Sequence, residues 1–181
     1  RIATYKLSIK VRFEIFRNSK FVNIIAVEEF RNLCYNIKKG KRGAFMKSPK
    51  NKTIDFSVEE GKTFLDRCIT VTSKLSIEEL LDRTILGDSL QVLKFLPQQS
   101  IDLLIADPCY NLDKDFHGMK FSKLNETDYV KYTESWIKKV LPLLKPTASI
   151  YVCCDWQSSL LIGSVLNQYF NVVNRITWQR E

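Results

Sequence analysis

The stretch that most constrains this chain is residues 84 to 107, "TILGDSLQVLKFLPQQSIDLLIAD". "TILGD" reads as a short strand ending at Gly87 and Asp88. "SLQVLKFLP" follows as a helix stopped by Pro97, and "SIDLLIAD" as a second strand ending at Asp107. A strand, a helix and a strand in this order predict a β-α-β unit, with two parallel strands and a crossover between them. The unbroken apolar run Leu103, Leu104, Ile105 and Ala106 suits a strand covered on both faces, as parallel strands are.

The same alternation continues downstream. Asn125 and Asp128 form an N-cap pair, after which Tyr129, Tyr132, Trp136, Ile137 and Val140 recur at helical spacing until Pro142. That aromatic stripe reads as core packing. "SIYVCCDW" (149–156) predicts a further buried strand, "SLLIGSVLNQYF" (159–170) a helix and "VVNRITW" (172–178) another strand. The fold class is therefore α/β, an open sheet with helices on both faces. In such sheets ligands bind beyond the carboxyl ends of the strands, and Asp88, Asp107 and Asp155 all stand at such ends. Upstream, Ser57 with Glu60 and Ser76 with Glu79 are capping boxes that start helices near 58–68 and 77–82. "KLSIKVRFEIF" (6–16) alternates enough to be a strand. Three segments result: a basic extension over 1–52, a helical connector over 53–83 and an α/β domain over 84–181.

Charge separates the first segment from the last. Residues 1–52 hold 14 Lys and Arg against 3 Asp and Glu, whereas residues 81–181 hold 11 of each. A basic arm on a neutral domain suits a polyanion, with Lys38, Lys39, Lys41 and Arg42 in its densest part. The single histidine, His117, and five cysteines without a C-x-x-C spacing argue against a zinc site or a histidine-dependent triad, so no metal is expected. The cysteines outside the Asp107 turn read as reduced, buried thiols. No apolar run approaches the roughly 18 residues of a membrane span, and a cytoplasmic protein is expected.

The strand that ends at Asp107 has no gentle exit. Pro108, Cys109, Tyr110 and Asn111 follow at once, a sequence better suited to a site than to a plain turn. "GDSLQVLKFLPQQSIDLLIADPCYN" resembles the segment leading into the catalytic motif of S-adenosylmethionine-dependent DNA amino-methyltransferases, usually written Asp/Asn/Ser-Pro-Pro-Tyr/Phe/Trp. The resemblance runs from about residue 84 to 181 and fits the arrangement in which the catalytic motif precedes the cofactor motif. It implies a partial Rossmann-like methyltransferase sheet with S-adenosylmethionine as cofactor. The substrate would be double-stranded DNA with the target base flipped out, most often adenine at N6, within a bacterial restriction-modification system at the nucleoid.

By the same resemblance Asp107 and the Pro108 carbonyl accept the hydrogens of the target amine, Tyr110 stacks on the extruded base, and Gly87 and Asp88, with Asp107 and Pro108, contact the cofactor. A cap for the following helix is the other role open to Asp88. Asp155 and Trp156 could line the pocket or be structural. Residues 116–123, with His117, Gly118, Lys120 and Lys123, would form a mobile loop over the base, its lysines meeting DNA. Two departures shape the expectation. Cys109 replaces the second proline and should loosen the turn. The Phe-x-Gly-x-Gly-like cofactor loop is absent, so the chain is expected to be incomplete and weakly active or inactive by itself. The alternatives are an inactive methyltransferase-like DNA-binding module, an RNA enzyme and a cytosine-N4 enzyme.

Overall fold

The computed structural model describes residues 10–15, 20–25, 57–116 and 119–178. Cys34, Lys38, Lys39, Lys41, Arg42, His117 and Gly118 lie outside them. The described strands are β1 (Lys10–Ile15), β2 (Lys20–Ile25), β3 (Arg83–Leu86), β4 (Ile101–Asp107), β5 (Lys114–Phe116), β6 (Met119–Phe121) and β7 (Leu144–Val152). The helices are α1 (Val58–Asp66), α2 (Ile77–Leu80), α3 (Ser89–Val92), α4 (Glu126–Val140) and α5 (Trp156–Tyr169). Short 3-10 turns follow α3 at Leu93–Phe95 and α4 at Leu141–Leu143.

Local chemistry sets the helix starts. Both capping boxes are closed: Ser57 and Ser76 each accept from the amide three residues on, and Glu60 and Glu79 reach back to the cap amides. Asn125 caps α4 by accepting from the Asp128 amide, and α4 buries the expected stripe, with Tyr129, Trp136, Ile137 and Val140 all 2% exposed or less. Trp136, Ile137 and Val140 meet Ile101, Leu104 and Ala106 of β4 and Val165 of α5 in one core.

Five strands form a sheet in the order β3-β2-β1-β4-β7. β2 runs parallel to β3 and β7 parallel to β4, whereas β1 is antiparallel to both β2 and β4. It follows that β3 and β4 are parallel, as the β-α-β reading requires. They are not neighbours, however. The antiparallel pair β1 and β2 lies between them, so Asp88 and Asp107 are three strand spacings apart, about 14 Å. β1 falls inside the alternating stretch 6–16, whereas β2 has no counterpart among the strands expected from sequence.

Three expectations need correction. The strand expected at 149–156 spans Leu144–Val152 and is buried on one side only: Ala148, Ile150 and Val152 pack on the core, while Tyr151 is 52% exposed and Ser149 lies open. As the edge strand of the described sheet, β7 has a covering helix on a single face. The strand expected at 172–178 is absent, and the segment has no regular structure. Its Val173, Ile176 and Trp178 are 75–87% exposed, without the neighbouring strand that would cover them among the described residues. Cys153 and Cys154, expected to be buried, are exposed residues whose thiols are only partly desolvated, because they follow the end of β7 where the chain leaves the core. No described helix is long and apolar enough to cross a membrane.

Candidate active site

β4 places the site. It is an interior strand of the described sheet, with partners on both sides, and it ends at Asp107 because Pro108 has no amide hydrogen with which to continue the ladder. The amide of Cys153 donates to the Ala106 carbonyl at 2.8 Å, which ties the end of β4 to the end of β7. Pro108 is buried, and Asp107, Cys109 and Tyr110 are half-buried at the carboxyl edge. The structure thus brings together Asp107, Pro108 and Tyr110, as the sequence places them.

Tyr110 folds back toward Asp107, and its hydroxyl donates to Asp107 Oδ1 at 2.9 Å. Burial, followed by that bond and the Asp107 charge, pushes the Tyr110 phenol far above its ordinary range, so it remains a neutral donor. The expected stacking surface is therefore also an orienting group for the carboxylate.

Cys109 is held from two sides. Its amide donates to the Tyr132 hydroxyl at 3.3 Å, and its carbonyl accepts from the Tyr129 hydroxyl at 3.0 Å. The two tyrosine rings stack, with centroids 5.5 Å apart. Burial is the main cause that raises both phenols, Tyr129 to about 12 and Tyr132 further. The turn expected to be loosened by Cys109 is in fact bonded at that residue. Tyr129 and Tyr132, expected to serve packing alone, thus belong to the site. The signal available in the sequence is their spacing of three, which puts two hydroxyls on one helical face.

Asn111 anchors the exit from the turn. Its amide donates to Ser158 Oγ at 3.1 Å, its Nδ2 donates to the Leu124 carbonyl at 3.0 Å, and its Oδ1 accepts from the Leu124 amide at 2.7 Å. The last two bonds close the 112–123 excursion into a ring. Its lower end is tied again by the Lys123 amide, which donates to Asp113 Oδ1 at 2.7 Å. β5 and β6 pair antiparallel, so the loop expected over 116–123 includes β6, with Lys120 on it.

Asp155 has a structural role. It caps α5 by accepting from the Gln157 and Ser158 amides, and its Oδ2 takes the Ser158 hydroxyl, the same group that accepts from Asn111. Burial works against its charge, but the bonds from Ser158 and Gln157 outweigh it and hold the carboxyl below the ordinary range. Trp156 is 66% exposed, with the Arg175 guanidinium over its ring at 4.4 Å.

Asp88 likewise caps its own helix: Oδ1 accepts from the Gln91 amide at 3.1 Å. Gly87 is demanded by packing, since a Cβ there would come within 2.8 Å of Val92 Cγ2. Burial, then the Asp107 charge, raises the Cys153 thiol, and burial, then Asp155, raises Cys154; neither is a thiolate nucleophile at neutral pH. No cluster of metal-ligating side chains occurs among the described residues.

A family model described as DNA methylase, covering N6 and N4 types, matches residues 101–181. The chain is similar to the type II methyltransferase M.HpaI of Haemophilus parainfluenzae, 36% identical over 53% of this chain and 31% of that protein. It is also similar to M.HinfI of Haemophilus influenzae, 31% identical over 59% of this chain and 34% of that protein, and to M.BamHI of Bacillus amyloliquefaciens, 30% identical over 50% and 22%. The chain thus spans about a third or less of the length of these curated relatives. No solved structure matches. The family match includes the Asp107–Tyr110 turn.

Proposed function

We infer that this chain is the catalytic-motif part of an S-adenosylmethionine-dependent DNA amino-methyltransferase. It would methylate adenine at N6 within a flipped base, as the modification activity of a bacterial restriction-modification system in the cytoplasm. The sheet would then be part of a Rossmann-like methyltransferase sheet with helices on both faces, β1 and β2 of the basic first segment included, and the densest basic stretch of that segment, with Lys38, Lys39, Lys41 and Arg42, would meet DNA. The observation that carries the reading is the Asp107–Pro108–Tyr110 turn at the carboxyl end of β4, with Tyr110 bonded to Asp107.

An exocyclic amine is a weak nucleophile because its lone pair is delocalised into the base. Acceptors for its two hydrogens favour a pyramidal nitrogen with a localised lone pair. Asp107 supplies a carboxylate oxygen and Pro108 a carbonyl, and the Tyr110 hydroxyl on Oδ1 fixes the rotation of that carboxylate. Catalysis is then mostly orientation and preorganised electrostatics. Flipping the base costs a few kcal/mol. Stacking on the Tyr110 ring returns on the order of 1–3 kcal/mol, so the two nearly offset.

When bound, the cofactor supplies an electrophilic methyl sulfonium. Among this chain's residues the half-buried carboxylates suit it: Asp107 beside the reacting centre and Asp88 for the adenosine part. Asp88 retains Oδ2 beyond its Oδ1 cap bond, although the two residues lie at separated strand ends. Lys120 and Lys123 belong to the 112–123 excursion, where phosphates would pass.

Methyl transfer from labelled cofactor to duplex DNA, comparing the gene product with Asp107→Ala, tests the reading. The expected outcome is a loss of at least about a hundredfold, with N6-methyladenine as the labelled base in the parent. Unchanged transfer in the variant would sink the mechanism, and N4-methylcytosine in the product would reassign the base.

A further inference from the structure

Pro108 contributes its carbonyl to the same planar peptide group that contains the Cys109 amide hydrogen. In a trans peptide the two point in opposite directions, so whatever holds one aims the other. This peptide is trans, as are the others among the described residues. The Cys109 amide is held by the Tyr132 hydroxyl at 3.3 Å, and the next carbonyl by the Tyr129 hydroxyl at 3.0 Å. Both tyrosines come from α4, 20 and 23 residues further along the chain, and Tyr129 is only 2% exposed. A proline at position 109 would have no hydrogen to offer Tyr132.

Resting on the function proposed above, we propose that Tyr129 and Tyr132 are positioning residues for this turn, and that Tyr132 aims the Pro108 carbonyl at the target amine through an amide hydrogen present only because residue 109 is not proline. The stacked rings fix the two hydroxyls relative to each other, which makes the pair one clamp. A hydrogen bond from the amide hydrogen also polarises the peptide and strengthens its carbonyl as an acceptor. Cys109 therefore exchanges the stiffness of a second proline ring for a hydrogen bond to the core helix.

Two measurements test this, one of them independent of methyl transfer. In the gene product, Tyr132→Phe lowers kcat about tenfold, the size of one neutral hydrogen bond realised in the transition state. KM for DNA and for S-adenosylmethionine then changes by less than about twofold, as fits an interaction expressed only in the transition state. In a Cys109→Pro background the same Tyr132→Phe change costs less than about twofold, because the bond is already missing. Equal losses in the two backgrounds, or no loss in either, would overturn the proposal. Separately, amide hydrogen exchange at Cys109 is expected to be faster by about tenfold or more in Tyr132→Phe than in the parent, while the Trp136 core signals stay unchanged. Unaltered exchange would overturn the clamp even if activity fell. Exchange is read without DNA or cofactor, so it tests the clamp even where Asp107→Ala disproves the catalytic reading.

Discussion

Asp88 and Asp107 each end an apolar parallel strand, yet their surroundings differ. The Asp88 carboxylate serves its own neighbourhood, accepting from an amide three residues on to start α3. Asp107 sits in a turn whose backbone and side chains are bonded from afar: Cys109 by Tyr129 and Tyr132 of α4, Asn111 by Leu124 and by Ser158 of α5. A strand followed by aspartate is thus one local pattern with two outcomes. The second outcome needs helices that arrive from elsewhere in the chain and hold the backbone rather than the carboxylate.

The largest effect expected from breaking this contrast is at Asn111. Asn111→Ala removes both side-chain bonds to Leu124 and leaves that residue's amide and carbonyl without their partner in a half-buried place. The loss should be about 2–4 kcal/mol of stability, read by denaturant unfolding with an unchanged m-value. A loss under about 0.5 kcal/mol would show that water replaces the ring closure.

Asp88→Ala should cost about 1 kcal/mol, the usual value of a lost N-cap, whereas Asp88→Asn should keep nearly all of it. This pair also sharpens the cofactor reading. A parent-like melting temperature in Asp88→Asn together with weakened S-adenosylmethionine binding would separate cap from ligand contact, and unweakened binding would leave Asp88 a cap alone.

The smallest effect is a pH dependence at Asp155. Its folded pKa lies below the ordinary value, so its contribution is present above the unfolded pKa and is lost as pH falls through the lowered folded value. Melting temperature measured from pH 6 downward should therefore fall less steeply in Asp155→Asn than in the parent; parallel curves would remove Asp155 from the acid response.

Much of this was legible in sequence because it is local. The capping boxes at Ser57 and Ser76 and the Asn125 cap are three-residue relations, and the helical stripe of α4 needs only a period of 3.6. The Asp107–Tyr110 turn could be seen as a site because proline and aspartate after an apolar strand have few other uses. The clamp on Cys109 was not legible, since the same tyrosines fit a packing stripe equally well and their hydroxyls acquire partners only when α4 lies against the end of β4. Nor was the fate of 172–178: its apolar pattern suits a strand, but a strand needs an edge to pair with, and the pattern cannot say whether one is there.

The sequence alone determined the β-α-β unit, the parallel direction of β3 and β4 and the placement of Asp107 at a strand's carboxyl end, all of which follow from chain periodicity and from residues that cannot continue a ladder. Only the tertiary structure decided that β1 and β2 lie between β3 and β4 and part Asp88 from Asp107. It also decided that Cys109, expected to loosen the turn, is bonded on both of its backbone groups. Strand order and long-range hydrogen bonds depend on which surfaces meet, and that information is spread over the whole chain rather than written in any one segment of it.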